Sequence, residues 1–147
     1  MLMTGSAEID AGRAFAQAAR ARRRAALRRI LRRRPAGDER LAVYDERSAR
    51  RGGHGHVARG VREIPIDAIG ATLEPSRAAL FDGRFRPAPA ARRRWERIWL
   101  AEQRGQALPP ISVVPVADGW AVRDGHHRVS VARARGALTI DAVAEAL

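Results

Sequence analysis

The side chains best suited to chemistry stand in one short run between a predicted strand and a predicted helix. The run is Asp124, Gly125, His126, His127 and Arg128. A strand that leads directly into a helix leaves the first amides of that helix without internal acceptors. These amides, together with the positive end of the helix dipole, attract an anion. Glycine at residue 125 lets that anion approach the backbone closely, so the pattern predicts a phosphate site.

The side chains of the run support this prediction but leave several roles open. Arg128 and the two imidazoles would add donors, so residues 124–128 form a candidate phosphate- or nucleotide-binding set. Asp124 has two alternative roles. As an N-cap it would satisfy the amides and repel phosphate, whereas as a Mg²⁺ ligand it would help to hold one. A plain capped helix without a ligand is the third interpretation.

Two kinds of metal chemistry are not expected. The chain has no cysteine, which excludes Fe-S clusters, thiolate sites and cysteine nucleophiles. His54 and His56 lie in a glycine-rich stretch and supply only two ligands, so a bare loop is favoured over a zinc site.

Positive charge is concentrated in the N-terminal part of the chain. The formal net charge is +12, all 28 basic residues are arginine, and residues 1–59 hold 15 of them against 6 acids. Such an excess favours a polyanionic partner. Residues 7–34 are rich in Ala, Arg and Leu and predict one helix. Nucleic acid is therefore predicted to bind residues 13–34, through Arg22, Arg23, Arg24, Arg28, Arg29, Arg32 and Arg33.

The apolar stripe of this helix is thin, which keeps other interpretations open. The helix would equally suit weak docking on the core or a solvated position without a binding role. Membrane binding is not expected, since Phe15 is the only aromatic residue on the apolar face.

The 147 residues allow one modest core with an appended element. We predict a basic helical extension over residues 1–35, a flexible linker over 36–60 and the main domain over 61–147. The main domain is expected to be α/β, with a small mixed sheet flanked by helices.

Within the main domain, hydrophobic periodicity predicts the elements. Residues 61–69 read as an edge strand because Pro65 interrupts them, and residues 89–104 as a helix whose two tryptophans face the core. Residues 111–116 are apolar on both faces, as in a buried strand, and a hairpin turn leads to the strand before Asp124. The end of the chain is either a strand over 139–143 or a helix over 141–147.

Three segments in order carry a resemblance to a known superfamily. They are Ile-Pro-Ile-Asp-Ala-Ile at 64–69, Leu-Pro-Pro-Ile-Ser-Val-Val-Pro-Val at 108–116, and Trp-Ala-Val-Arg-Asp-Gly-His-His-Arg-Val-Ser-Val-Ala-Arg-Ala-Arg-Gly at 120–136. Together they resemble the ParB/sulfiredoxin superfamily, and most closely ParB-like proteins with an Asp-Gly-His-His-Arg corner. The resemblance implies that fold for residues 61–147.

The partition-type branch of this superfamily implies a nucleotide ligand. Its corresponding Gly-Glu-Arg-Arg corner grips CTP; Gly125 and Arg128 match that corner, while His126 and His127 replace its central residues. CTP, ATP or ADP with Mg²⁺ is therefore the expected ligand. Partition proteins carry a helix-turn-helix after this domain and the present sequence ends at Leu147, so sequence-specific DNA reading is not expected.

Two enzymatic branches imply different activities. Sulfiredoxins carry a catalytic cysteine where this chain has His126, so that activity is excluded. Free serine kinases are similar in an Asp-Gly-x-His-Arg corner, which Asp124, Gly125, His127 and Arg128 match. In that alternative Glu74 would be the base and His127 a second catalytic residue. Nuclease chemistry ranks lowest, because Asp124 is the only carboxylate at the corner.

The combined hypothesis is a ParB-like nucleotide- or phosphate-binding domain that associates with DNA without its own helix-turn-helix. The alternatives are a small-molecule phosphotransferase of the same fold and an interaction module without a phosphate ligand. Whether the protein is an enzyme and whether it forms oligomers stay open. The expected location is the cytoplasm, with association to the nucleoid as a further hypothesis.

Overall fold

A computed structural model of the chain describes residues 3–32, 40–52 and 60–145. Five α-helices are present in these ranges. They are α1 (Met3–Leu31), α2 (Glu46–Gly52), α3 (Pro75–Ala78), α4 (Arg92–Gln103) and α5 (His126–Ala134). The six strands are β1 (Ala42–Val43), β2 (Val61–Pro65), β3 (Ile69–Thr72), β4 (Ile111–Val116), β5 (Gly119–Asp124) and β6 (Thr139–Ala144).

The strands form one mixed sheet in the order β1-β3-β5-β4-β6-β2. β4 and β5 are an antiparallel hairpin, and β2 pairs antiparallel with β6. The pairs β1–β3, β3–β5 and β4–β6 are parallel. The predicted α/β class with a small mixed sheet flanked by helices is confirmed. β2 is an edge strand as expected, but it ends at Pro65 and does not continue to residue 69. Thr139–Ala144 forms a strand, as the first of the two alternatives for this segment predicted.

The main core lies where the centre of the sheet meets α5. Ile111, Val113, Val122 and Val129 are all completely buried, and β4 is covered on both faces as its sequence predicts. The β4–β5 turn needs Gly119, because a Cβ there would lie 2.2 Å from the Ala68 carbonyl oxygen. The sheet thus fixes the position at which β5 ends and α5 begins.

The N-terminal half of α1 packs on the domain, whereas its C-terminal half is largely exposed. Phe15 meets the fully buried Trp95 of α4 edge to face, with ring centroids 5.5 Å apart. Trp95 Nε1 in turn donates to Ser130 Oγ of α5 at 2.9 Å. Leu27 and Ile30 are exposed. The docked interpretation of this helix therefore holds for its first half.

The linker prediction is wrong for residues 40–52. β1 pairs in parallel with β3, the Tyr44 amide donates to the Thr72 carbonyl, and Leu41 and Ala49 are buried. The prediction failed because a two-residue strand and a seven-residue helix show too few apolar positions to reveal a period. The strand β3 was missed in the same way, within a segment rich in turn residues. His54 and His56 lie outside the described residues.

None of the helices in the described ranges combines the length and hydropathy that a membrane crossing requires.

Candidate phosphate-binding site

The corner between β5 and α5 turns on a glycine in a conformation that side chains rarely adopt. Gly125 has φ 111° and ψ 23°, and its carbonyl accepts the first helical hydrogen bond of α5, from the Val129 amide at 3.0 Å. A Cβ at residue 125 would lie 2.4 Å from Ile111 Cγ2. Both the left-handed backbone and the contact with β4 require glycine here.

The first amides of α5 are left open. Among the described residues, the N–H groups of His126, His127 and Arg128 have no hydrogen-bond acceptor. The Asp124 carboxylate does not cap them, so the N-cap alternative is wrong. It turns instead to Arg128, with Oδ2 3.2 Å from Nη2, and its side chain is 77% exposed.

Arg128 is held in place by the segment before β4. Its Nη1 donates to the carbonyl oxygens of Pro109 and Pro110, the latter at 3.0 Å. Only 15% of the side chain is exposed. Backbone carbonyls and one carboxylate thus orient the guanidinium beside the first turn of α5.

The ring of His126 packs in the core and does not point its Nε2 toward an anion at the corner. Its Nε2 lies 2.6 Å from Thr72 Oγ1, and its ring stacks on Phe81 with centroids 6.4 Å apart. Burial, and then the nearby Arg77, lowers the pKa of His126 to about 4. The ring is neutral at pH 7 and its Nε2 is committed to Thr72, so it adds no positive charge to the corner.

His127 is also neutral, and its ring has no hydrogen-bond partner in the part of the chain that the structure describes. Its ring meets Phe81 edge-on at 5.1 Å and is 6% exposed, and no hydrogen bond of the ring occurs among the described residues. Burial, then the charges of Arg94 and Arg77, lowers the pKa of His127 to about 4. A neutral imidazole carries one N–H donor and one acceptor nitrogen. His127 can therefore offer a hydrogen bond to a ligand without carrying charge.

The open amides belong to a small depression of about 30 Å³, which is lined by three arginines and one acid. Its lining residues are Arg77, Arg94, Ile98, Asp124, Gly125, His126, His127 and Arg128. The side chains of Arg77 and Arg94 form no ion pair or hydrogen bond within the described ranges. Sites for larger organic ligands are about ten times this volume or more, so the depression suits a single anionic group reaching in from solvent.

Arg77 and Arg94 were missed by sequence reasoning. Arg77 lies on α3 and Arg94 lies on α4. Both stand more than thirty residues before the corner, and only the tertiary fold brings them to it. No local signal distinguishes them from the other arginines of the chain.

The carboxylates do not gather into a metal site. No group of three or more His, Asp or Glu side chains suited to a metal occurs among the described residues. Asp124, the candidate Mg²⁺ ligand, is paired with Arg128. A Mg²⁺ ion here would have to take most of its ligands from phosphate and water, which is the usual situation for nucleotide-bound magnesium.

Glu74, the candidate base of the kinase alternative, does not line the depression. Its side chain is exposed, and its backbone connects to the corner through Thr72: the Glu74 N–H donates to Thr72 Oγ1 at 2.9 Å, and the Glu74 carbonyl accepts from the same hydroxyl at 3.4 Å. The catalytic assignment of Glu74 and His127 stays a prediction, and the geometry of Glu74 does not favour it.

The predicted DNA-binding arginines of α1 fall into separate groups. Arg28, Arg29 and Arg32 line a groove beside the sheet edge formed by β1. Arg23 and Arg24 are exposed outside the groove lining. The others are Arg22, which is half-buried with Nε shielded from solvent, and Arg33, which lies outside the described residues.

Comparison with known proteins adds one structural likeness. No family model and no curated protein matches the chain. Among solved structures the chain is similar to sulfiredoxin from Arabidopsis thaliana, with a TM-score of 0.41 and 19% sequence identity. The similarity covers 58% of this chain and 84% of that one. At this score and identity the likeness carries no argument about activity, which has to come from the site itself.

Proposed function

We propose that the protein is a ParB-like phosphate- or nucleotide-binding domain in which the N-terminus of α5 receives the phosphate. One observation carries this proposal. The unsatisfied amides of residues 126–128 open on a depression that Arg77, Arg94 and Arg128 line. Helix amides and guanidinium groups are the donors that phosphate oxygens accept best.

Charge and size favour phosphate over other ligands. The lone acid, Asp124, is balanced by its ion pair with Arg128, which leaves Arg77 and Arg94 uncompensated within the described ranges. The depression admits one phosphate group and leaves no room for a nucleoside, so the rest of a nucleotide would project outward. His127, buried and without a hydrogen-bond partner among the described residues, supplies a neutral donor at the same place.

We also propose association with DNA through the exposed arginines of α1. The net charge of +12 and the exposed second half of the helix support it. Contacts between arginine and phosphate do not depend on base sequence, so this association needs no helix-turn-helix.

Titration calorimetry and thermal shift with pyrophosphate, CTP, ATP, ADP and GTP, each with and without Mg²⁺, test the phosphate proposal. A ligand at one hundred times its Kd stabilises the protein by about 2.7 kcal/mol. We expect Arg77→Gln/Arg94→Gln to weaken binding about a hundredfold, because each lost charge-assisted hydrogen bond costs about 1.5 kcal/mol, or about tenfold in affinity.

Arg93→Gln/Arg97→Gln is the matched control, since it removes two exposed arginines of α4 that do not line the depression. Its affinity should stay within about twofold of the wild type, as expected for well-screened surface charges. Equal losses in the two double variants would overturn the proposal. So would the absence of binding by pyrophosphate and by all four nucleotides.

A further inference from the structure

A wide groove lies beside the sheet edge of β1, away from the α5 corner. It has a volume of about 550 Å³ and runs between the second half of α1, the sheet edge of β1 and β3, and the loop of residues 83–86. Its lining residues are Ala25, Arg28, Arg29, Arg32, Arg40, Ala42, Gly70, Gly83, Arg84 and Arg86. Six of these ten are arginine and none is acidic.

Four of the six groove arginines have no acidic partner within residues 3–32, 40–52 and 60–145. Arg86 pairs with Asp82 at 3.3 Å. The side chains of Arg28, Arg32, Arg40 and Arg84, by contrast, form no ion pair or hydrogen bond within the described ranges. Gathering like charges along one groove is unfavourable unless an anion occupies it. The charge of the groove therefore favours a polyanionic ligand.

The loop that carries Arg84 and Arg86 is rigidly built. Asp82 is 2% exposed, and its Oδ1 accepts hydrogen bonds from the Arg84 and Arg86 amides, both at 2.9 Å. Between them Phe85 is 1% exposed and holds φ 57°. A buried carboxylate and a buried ring thus fix the backbone, while the two arginine side chains reach the groove.

The lining also indicates which polyanion fits. No aromatic side chain lines the groove within the described residues, so bases have nothing on which to stack. Four lining residues are alanine or glycine, so a backbone can approach closely, and the cations come from three separate elements. A continuous chain of phosphates satisfies such a row of cations better than a single phosphate does.

We propose that this groove binds the sugar-phosphate backbone of nucleic acid, independently of base sequence. The inference rests on the DNA association proposed above, and it places the DNA contact in the groove instead of along the whole exposed face of α1. Arg40, Arg84 and Arg86 join the second half of α1, while the outer residues Arg23 and Arg24 take a minor part. The phosphate site at α5 is independent of it.

Fluorescence anisotropy with two unrelated 20-base-pair duplexes, over a range of salt concentrations, tests the groove. Six engaged phosphates give a slope of log K against log salt of about −5. In Arg28→Gln/Arg40→Gln/Arg84→Gln, three exposed groove arginines are removed. We expect the slope to become shallower by about 2.7 and the affinity at 0.1 M salt to fall about tenfold or more.

The control Arg93→Gln/Arg97→Gln/Arg104→Gln removes the same charge from exposed positions outside the groove. It should change affinity by less than about threefold and leave the slope unaltered, as distant screened charges do. A single Arg32→Gln variant, with an expected slope change of about 0.9, keeps the test decisive if the triple variant fails to fold.

Each result decides between the proposals. No duplex binding by the wild type would overturn DNA association as a whole, and with it the groove. Equal losses in the groove and control variants would leave the association standing and overturn the groove. If polyglutamate of equal charge displaced the duplex as readily as unlabelled DNA does, the assignment to nucleic acid would be wrong.

Discussion

The α5 corner and the α1 groove are both basic, yet they are built on different principles. The corner holds three arginines, an open helix N-terminus and a depression of about 30 Å³. The groove holds six arginines from three elements in about 550 Å³. Under the two proposals, the corner, with backbone donors fixed by the fold, would select one compact anion, whereas the groove, with charge contributed by several segments, would select an extended one.

The two regions also differ in how far they depend on the core. Gly125 is pressed against β4, and the adjacent His126 is bonded to β3 and stacked on Phe81. Most groove arginines are exposed and reach outward from their elements. Substitutions in the buried packing should therefore weaken phosphate binding at the corner more than duplex binding in the groove. Higher salt should weaken duplex binding in the groove more than phosphate binding at the corner.

The largest effect is expected from Gly125→Val. The new side chain would meet Ile111 Cγ2 at 2.4 Å and would force a left-handed backbone on a β-branched residue. Strain and overpacking together should lower the free energy of unfolding by about 5 kcal/mol. Urea denaturation measures this loss, and phosphate binding should disappear with it.

Gly70→Val is the matched control, because a Cβ at Gly70 meets nothing within 4 Å and its φ is not in the left-handed region. It should change the free energy of unfolding by less than about 1 kcal/mol, in either direction. Similar stability of the two variants would mean that the corner conformation does not require glycine at residue 125.

Acid pH should lower the free energy of unfolding through the histidines of the corner. It should leave the positive charge of the groove arginines unchanged. Both His126 and His127 have a pKa of about 4 in the fold, against 6.5 for an unperturbed histidine. Below pH 6.5 the unfolded chain binds protons that the folded chain excludes, so the free energy of unfolding falls as pH drops and levels off near pH 4. Lowering the pKa of one histidine from 6.5 to about 4 corresponds to about 3 kcal/mol, so we expect a total loss of about 3 kcal/mol or more.

Urea denaturation at pH 7.5, 6, 5 and 4.5 measures this loss, with His127→Gln as the variant that should flatten the profile. Arginines stay protonated throughout, so duplex binding should be constant across the same range while the protein is folded. A stability that stayed flat between pH 7 and pH 4.5 would show that both imidazoles are solvated.

Thr72→Val is expected to have a smaller and more local effect. It keeps the shape of the side chain but removes the hydroxyl that contacts His126 Nε2 at 2.6 Å and accepts the Glu74 amide at 2.9 Å. Leaving these buried groups unpaired should cost about 2 kcal/mol of unfolding free energy. Thermal denaturation detects the loss, and duplex affinity should not change. A shift in duplex binding would show that the two regions are coupled.

The corner itself was readable from the sequence, because it depends on local chemistry. A strand, a glycine and a helix start are adjacent in the chain, so the position of the corner follows from local spacing. That its amides are open and not capped by Asp124 became clear only from the structure. The burial of β4 and the inward Trp95 were also predicted from periodicity, and both are confirmed.

The features of the two sites that could not be predicted depend on contacts between residues far apart in the sequence. Arg77 and Arg94 meet the corner only after α3 and α4 have packed around it. His126 was expected to serve the anion, but Phe81 and Thr72, more than forty residues earlier, draw its ring into the core. Arg84 joins the groove in the same way, through a loop fixed by a buried aspartate.

The most direct test of the central claim monitors the backbone amides of the corner by ¹H–¹⁵N correlation NMR during a pyrophosphate titration. Saturable shifts at His126, His127 and Arg128, larger than those at Arg28, Arg40 and Arg84, are the predicted result. Unmoved corner amides at saturating pyrophosphate, or shifts confined to the groove arginines, would contradict the account.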